Sequence, residues 1–481
     1  MDRVAEAVSA RHDRIDAVGT NDEIRRSIGP GTVVVDLAGR TLLPGFIDAH
    51  SHFPASGLRE FVASLESPPV GTVRSIADLQ EALRRRRADG ISGGWLLGSG
   101  YDDSLLAEKR HPTRAELDAV STELPIFVMH VSMHMGVGNS AALAAFGIDR
   151  NTPNPPGGVI ARDPDSGEPT GLLQETAVTP AQNLLLGRSL PDNLTMVRRA
   201  VADYAAAGIT TAQSGAIDAA GVRALALASR LGLVPMRLVV WPEHGRAGAA
   251  VLAGDLDPAA YRSDLFTVGA LKIVADGSIQ GFTGYLSQPY HTPHHGDADY
   301  RGYPAVSREE LHEAIRAYHL AGWQLAVHGN GDASIDDILG AVAAAQAARP
   351  DPDARTILVH AQMARDDQLD RMRELAVTPS FFTAHTYYWG DRHHDLFMGP
   401  ERAQRMSPTR SAAERGLRFS VHLDTPVVPM DPLLLVWSTV NRISTGGRVI
   451  GAAQRLTPTE ALRAVTIDAA WQIRHEHDRG S

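Results

Sequence analysis

Thr41–Phe53, TLLPGFIDAHSHF, is the stretch whose reading decides the fold. Its apolar run (Leu42, Leu43, Phe46, Ile47), punctuated by Pro44-Gly45, reads as a buried strand that ends in His50-Ser51-His52. Residues i and i+2 of a strand point to the same side. Both imidazoles can therefore face one point beyond the strand's C-terminal end, where neutral imidazole nitrogen is a preferred zinc ligand. A chain with 20 histidines also makes such pairs by chance, so the downstream sequence has to decide.

Upstream, residues 1–43 alternate short β-like pieces (7–10, 15–19 and 32–37) with turn residues. They read as a scrap of small antiparallel sheet, too short to stand alone. Downstream, residues 54 to about 192 are irregular: a helix over 76–89, strand-like WLLGSGYDD (95–103) and IFVMHVSMH (126–134), then a turn-rich stretch. This is expected to be an insertion covering one end of a larger fold. Beyond it, strands at 208–215, 234–242, 266–277, 323–332, 355–363, 376–382 and 418–426 alternate with helices. The capping boxes Ser307/Glu310 and Thr457/Glu460, the latter with Pro458 at the first helical position, mark helix starts. With the opening strand the count is eight, which predicts an α/β fold of the (β/α)8 TIM-barrel type. The expected division is a β-sandwich remnant at 1–43 and a barrel at 44–481 carrying the insertion at about 54–192.

The bulk properties narrow the function. With 481 residues and 43% hydrophobic content the chain can bury a large core. A net charge of −10 gives no support to nucleic-acid binding, and the basic run Arg84–Arg87 fits a solvated helix face. No cysteine is present, so disulfides and thiolate metal sites are excluded and any metal must be held by His, Asp, Glu or modified Lys. The start, MDRVAEAV, has no apolar signal core, and nowhere do 18 uncharged apolar residues run together. A soluble cytoplasmic protein acting on a small molecule, with no nucleic-acid or membrane partner, is expected, and homo-oligomerisation is left open.

Chemistry in such barrels sits at the C-terminal strand ends. Read in order, these ends carry His50 and His52, Lys272, His328, His360 and Asp424. Any one alone is an ordinary structural residue; five residues of metal-ligand type on one rim point to a metal centre.

PGFIDAHSH, VHGNGDASI, VHAQM and HLDTPV together resemble the metal-dependent amidohydrolase superfamily, closest to its YtcJ-like branch, which includes N-substituted formamide deformylases. The resemblance covers nearly the whole chain. It implies a divalent metal, most often zinc, as one or two ions, held by His50, His52, His328, His360 and Asp424. It also implies Asp424 as proton shuttle and Lys272 of GALKIVADG as a carboxylated lysine bridging two metals. Physical chemistry is consistent with these roles. A carboxylate beside an activated water can take its proton and return it to a departing nitrogen. An unmodified ammonium at position 272 would repel a metal, so Lys272 makes sense either carboxylated or as a contact to a substrate anion. Glu175 in GLLQET is a competing source of a bridging carboxylate. Relatives commonly carry Ser before the eighth-strand Asp, where this chain has Leu423, so a neighbouring hydroxyl is lost. Relatives also extend further at both ends, so the sandwich is expected to be truncated and the chain less stable than a full-length relative.

On the substrate side, Tyr101, Asp102 and Asp103, with His134 and Asn139, lie in the insertion and are candidates for a lid. Asp276 and Ser278 are placed to orient ligands, while His385, Tyr387, Tyr388 and Trp389 suggest a pocket for an apolar or aromatic group. The substrate contacts expected are Tyr101, His134, His385 and Tyr388. His291, His294 and His295 with Asp297 and Asp299 fit an ordinary loop better than a metal site. The function expected is metal-dependent hydrolysis of a C–N bond in an amide, N-formyl or N-acyl group. A deaminase on the same site and a non-catalytic metal-binding barrel are the alternatives.

Overall fold

A computed structural model describes residues 4–481 except Asp13, Ser92, Arg188 and His295, and the side chain of Leu186. His295, expected in a loop cluster, therefore lies outside the described residues.

The chain opens with a hairpin, β1 (Ala7–Arg11) and β2 (Arg14–Gly19), paired antiparallel. The third expected piece, 32–37, is not a strand. Val33, Val34 and Val35 are exposed, with no described strand beside them to accept a ladder. Apolar β-branched residues alone do not make a strand; a partner does.

β3 (Phe46–Ile47) then enters a parallel sheet of four, in the order β12-β11-β10-β3, with β10 (Ile209–Ile217), β11 (Arg237–Pro242) and β12 (Phe266–Val268). A second parallel sheet holds β13 (Leu271–Val274), β14 (Leu325–Gly329), β15 (Thr356–His360), β16 (Val377–Phe381) and β17 (Ser420–Val421), in that order. Every residue of β14, β15 and β16 is buried, as expected for strands covered on both faces. The stretch 266–277, expected as one strand, is two. Gly269 N–H donates back to Val240 O (2.8 Å), whereas Leu271 N–H donates forward to Gln324 O (2.9 Å), so the chain changes partner between them. The seam is bridged beyond the break, where His244 N–H donates to Lys272 O (2.9 Å). At the opposite edges, Asp424 N–H donates to His50 O (3.0 Å) and His52 N–H to Thr425 O (2.9 Å).

The region between β3 and β10 builds a mixed sheet of its own, ordered β4-β5-β6-β7-β9-β8. Its strands are β4 (Ala63–Ser64), β5 (Leu96–Tyr101), β6 (Ile126–His130), β7 (Met135–Gly138), β8 (Gly158–Arg162) and β9 (Pro169–Glu175). The two strand-like pieces seen in the sequence here are β5 and β6, so they do not belong to the parallel sheets. β9 alternates buried and half-buried residues along its length, the mark of a sheet with one face packed. The helix Ile76–Asp89 starts on a Ser75 cap and carries Arg84–Arg87, while Ser307/Glu310 and Thr457/Glu460 both form reciprocal capping boxes. Among the described residues no helix is long and apolar enough to cross a membrane.

Candidate metal centre

His50 and His52 follow β3, and main-chain or amide carbonyls fix both rings. His50 Nδ1 lies 3.0 Å from Gln213 Oε1, which also takes the Ser51 N–H at 2.9 Å, and His52 Nδ1 lies 3.2 Å from Gly215 O. A carbonyl oxygen only accepts, so each Nδ1 carries the proton and each Nε2 presents its lone pair. Those lone pairs converge: His52 Nε2 is 3.3 Å and His50 Nε2 3.7 Å from Asp424 Oδ1, and His50 Nε2 is 3.0 Å from Lys272 Nζ. Trp241 stacks on His50 at 5.3 Å, holding the ring against rotation.

The second half of the cluster is packed against it without the same tautomer constraint. His328 Nε2 lies between Asn330 Nδ2 (3.0 Å) and Gly277 O (3.2 Å), and its Nδ1 lies 3.1 Å from His360 Nε2. His360 Nε2 is in turn 3.9 Å from Asp424 Oδ2. Asp276 accepts from Tyr285, Asn330 and Gly331 N–H (3.0, 2.9 and 2.8 Å), bracing the loop that follows His328. His360 and Asp424 both adopt left-handed backbone (φ 73° and 57°), a conformation costing non-glycine residues of order 1–3 kcal/mol and concentrated at functional sites.

Burial sets the charges. His50, His328 and His360 are pushed well below the ordinary histidine range, first by desolvation and then by neighbouring cationic groups, so all three imidazoles are neutral. Burial also pushes Lys272 down to about 7, against the pull of Asp424. Desolvation would raise Asp424, but the imidazoles of His52, His360 and His50 around it outweigh that and hold the carboxyl well below its usual value. Neutral imidazoles, two of them with lone pairs turned inward, one ionised carboxylate and an amine brought down to about 7 form a donor set that fits a divalent cation.

The sequence-predicted residues divide accordingly. His50, His52, Lys272, His328, His360 and Asp424 come together. Glu175 does not join them; its Oε2 meets His134 Nδ1 at 2.8 Å, and the His134 ring lies 5.3 Å from that of His328. Burial opposes charge on His134, yet the Glu175 charge and hydrogen bond, with Asp424 and Asp276 beyond, raise it overall. His385 is buried with its ring 6.2 Å from His360, and Tyr388 is half-buried beside Trp389. Tyr101 is wholly buried inside the inserted sheet, its hydroxyl on His111 Nδ1 (2.9 Å), so it offers no surface to a substrate. Asn139 is a helix cap rather than a lid residue: its Oδ1 accepts from Ile126 and Ala142 N–H, both at 2.9 Å. His294 stacks on Phe282 at 4.5 Å, as an ordinary loop residue does.

Sequence reasoning missed His422, whose Nε2 lies 3.2 Å from His360 Nδ1 and whose burial pushes it down to about 3. The signal was available: His422 and Asp424 stand two apart, as His50 and His52 do. Gln213, Trp241 and Gly277 were also missed, and nothing in their local sequence marks them.

The chain matches the family model described as "Amidohydrolase family" over residues 33–481. It is 31% identical to the N-substituted formamide deformylase of Arthrobacter pascens, covering 99% of this chain and 87% of that protein. It is 27% identical to the putative amidohydrolase YtcJ of Bacillus subtilis, covering 99% and 88%. Its fold is similar to that of an uncharacterized metal-dependent hydrolase from Pyrococcus horikoshii, with a TM-score of 0.75 at 23% identity over 98% of this chain and 90% of that one.

Proposed function

This chain belongs to the amidohydrolase family, and on that premise we propose that it hydrolyses a C–N bond of an amide, N-formyl or N-acyl group at a divalent metal centre. The two parallel sheets are read as arcs of one eight-stranded barrel, with the rim centre at the strands' C-terminal ends. The observation that carries the proposal is the convergence of two fixed imidazole lone pairs, of His50 and His52, with the ionised Asp424 and the buried Lys272, beside the paired rings of His328 and His360.

His50, His52 and Asp424 would hold one ion, most often zinc in this family, with His328 and His360 available to a second. When bound, such an ion supplies Lewis-acid polarisation of a carbonyl and lowers the pKa of water toward about 7. The chain's own residues do the rest. Asp424, ionised and backed by His52 and His360, accepts a proton from the attacking water. It returns that proton to the departing nitrogen, which an amine leaving group requires. Lys272 is proposed to be carboxylated: with its amine lowered to about 7, a neutral fraction is present at physiological pH that can add to dissolved carbon dioxide and release a proton to water, and the resulting carbamate would be an anionic ligand available to the cluster. Gln213 and the Gly215 carbonyl keep His50 and His52 in the ligand tautomer.

The test is a panel of N-formyl and N-acyl amines with the purified metal-loaded protein. Release of a carboxylic acid together with an organic amine supports amide hydrolysis. Release of ammonia alone would replace this reading with deamination.

A further inference from the structure

A cavity of about 530 Å³ runs beside the rim, between the inserted sheet and the loop that follows Asp424. Its size falls within the range of small-molecule sites, roughly 300–1,000 Å³. Two of its lining residues are chain neighbours of residues at or beside the proposed metal centre. Thr425, on its wall, is the neighbour of Asp424 and is clamped by Ser51 Oγ (2.9 Å from its N–H) and by the His52 N–H (2.9 Å to its O). Met133, on the facing wall, is the neighbour of His134.

The lining chemistry is one-sided. Leu58, Val62, Leu105 and Val131 face it from the inserted region, and Val428 and Met430 from the loop after Asp424. The two arginines on the wall already have partners: Arg59 is bonded to Asp203, while Arg392 donates to Asp102 Oδ2 at 3.1 Å, beside the Trp389 Nε1–H on the same oxygen at 2.9 Å. The remaining lining carboxylate, Glu66, takes the Ser64 hydroxyl. Each guanidinium has a carboxylate partner, and the buried lining atoms left without a hydrogen-bond partner are Arg392 Nε and the hydroxyls of Ser56, Ser67 and Thr425, so among the described residues the wall is apolar with a few polar points and no unpaired cation.

We infer that this cavity is a substrate subsite for an extended, uncharged apolar substituent of the amide cleaved at the neighbouring centre. The inference rests on the hydrolase reading for what is cleaved, and on the cavity alone for what is bound. Apolar transfer of about 0.8 kcal/mol per buried methylene corresponds to about fourfold in binding for each one added.

Two measurements on the metal-loaded protein test it. In a series of N-formyl n-alkylamines and N-alkanoyl methylamines, kcat/KM should rise about fourfold per methylene along one arm, which also identifies the side of the amide that enters the cavity. A terminal carboxylate should abolish the rise. Leu105→Trp and Met430→Trp, filling the cavity from opposite walls, should flatten the slope while near-ultraviolet circular dichroism and Tm stay close to wild type. A flat series along both arms, or a slope unaltered in both variants, would overturn the subsite. The Kd of n-alkanols from butanol to octanol, read by calorimetry, provides the check that needs no turnover. It should tighten with length in the wild type and not in the variants. If no amide is cleaved but the alkanols behave so, the hydrolase reading fails and the subsite stands; if the alkanols show no length dependence, the subsite fails whatever is cleaved.

Discussion

Two clusters of histidine and aspartate in this molecule invite comparison. At the rim of the parallel sheets stand His50, His52, His328, His360 and Asp424; inside the inserted sheet stand Asp103, His111 and His130, with Tyr101. Spacing does not separate them, since Asp102, Asp103 and His130 bring their ligand atoms as close together as His50, His52 and Asp424 do. Proton placement does. At the rim, carbonyl oxygens take the protons of His50 and His52 on the far side, so lone pairs face inward. In the insertion, the Ser132 N–H donates to His130 Nδ1 (3.1 Å), which puts the proton on Nε2, 3.2 Å from Asp103 Oδ1. That nitrogen therefore turns a proton and not a lone pair toward the carboxylate, and Asp102 is occupied by Trp389 and Arg392. A ligand set requires unspent lone pairs as well as the right residue types.

The contrast can be broken first at Asp424. Asp424→Asn removes the proton carrier and should lower kcat by about 10²–10⁴-fold, the usual worth of a positioned acid–base group, while elemental analysis still finds metal. Activity within tenfold of wild type would show that the proton travels elsewhere.

A smaller effect is expected at Gln213. Gln213→Ala deletes the carbonyl that fixes the His50 tautomer, and metal affinity measured by chelator competition should fall about 10–100-fold. An unchanged affinity would mean the ring orientation is set by Trp241 stacking alone.

Much of this was legible beforehand, for identifiable reasons. Strands such as 325–329 and 356–360 are continuous apolar runs because parallel strands are buried on both faces, and each delivers its histidine at or just before its last residue. The partner switch at Gly269 was hidden, since a strand that serves two neighbours in turn reads as one long apolar run. Residues 32–37 read as β because valines favour strands, but pairing is a property of the surroundings. At the site, residue types and strand ends were readable and tautomers were not, because the carbonyls that fix His50 and His52 come from β10, distant in sequence. Tyr101 misled for the opposite reason: a polar tip beside two aspartates suggested a pocket, while its hydroxyl is spent on His111.

The insertion side supplies the smallest prediction. Asp103 sits well below the usual carboxylate range: burial alone would raise it, but His111 and His130 overcome that. A depressed carboxylate stabilises the fold above its unfolded pKa near 3.9, and that contribution fades as pH falls through the lower folded value. Asp103→Asn should therefore cost about 1–2 kcal/mol at pH 5–6, and the gap to wild type in urea unfolding should narrow progressively as pH falls below about 4. A gap that persists in acid would assign the loss to packing.

The most direct measurement is the divalent-metal content of the purified protein and of two double variants. One or two ions per chain are expected in the wild type and in His111→Ala/His130→Ala, with the content lost in His50→Ala/His52→Ala. A wild type without divalent metal, or a content that follows the insertion pair instead of the rim pair, would contradict the account.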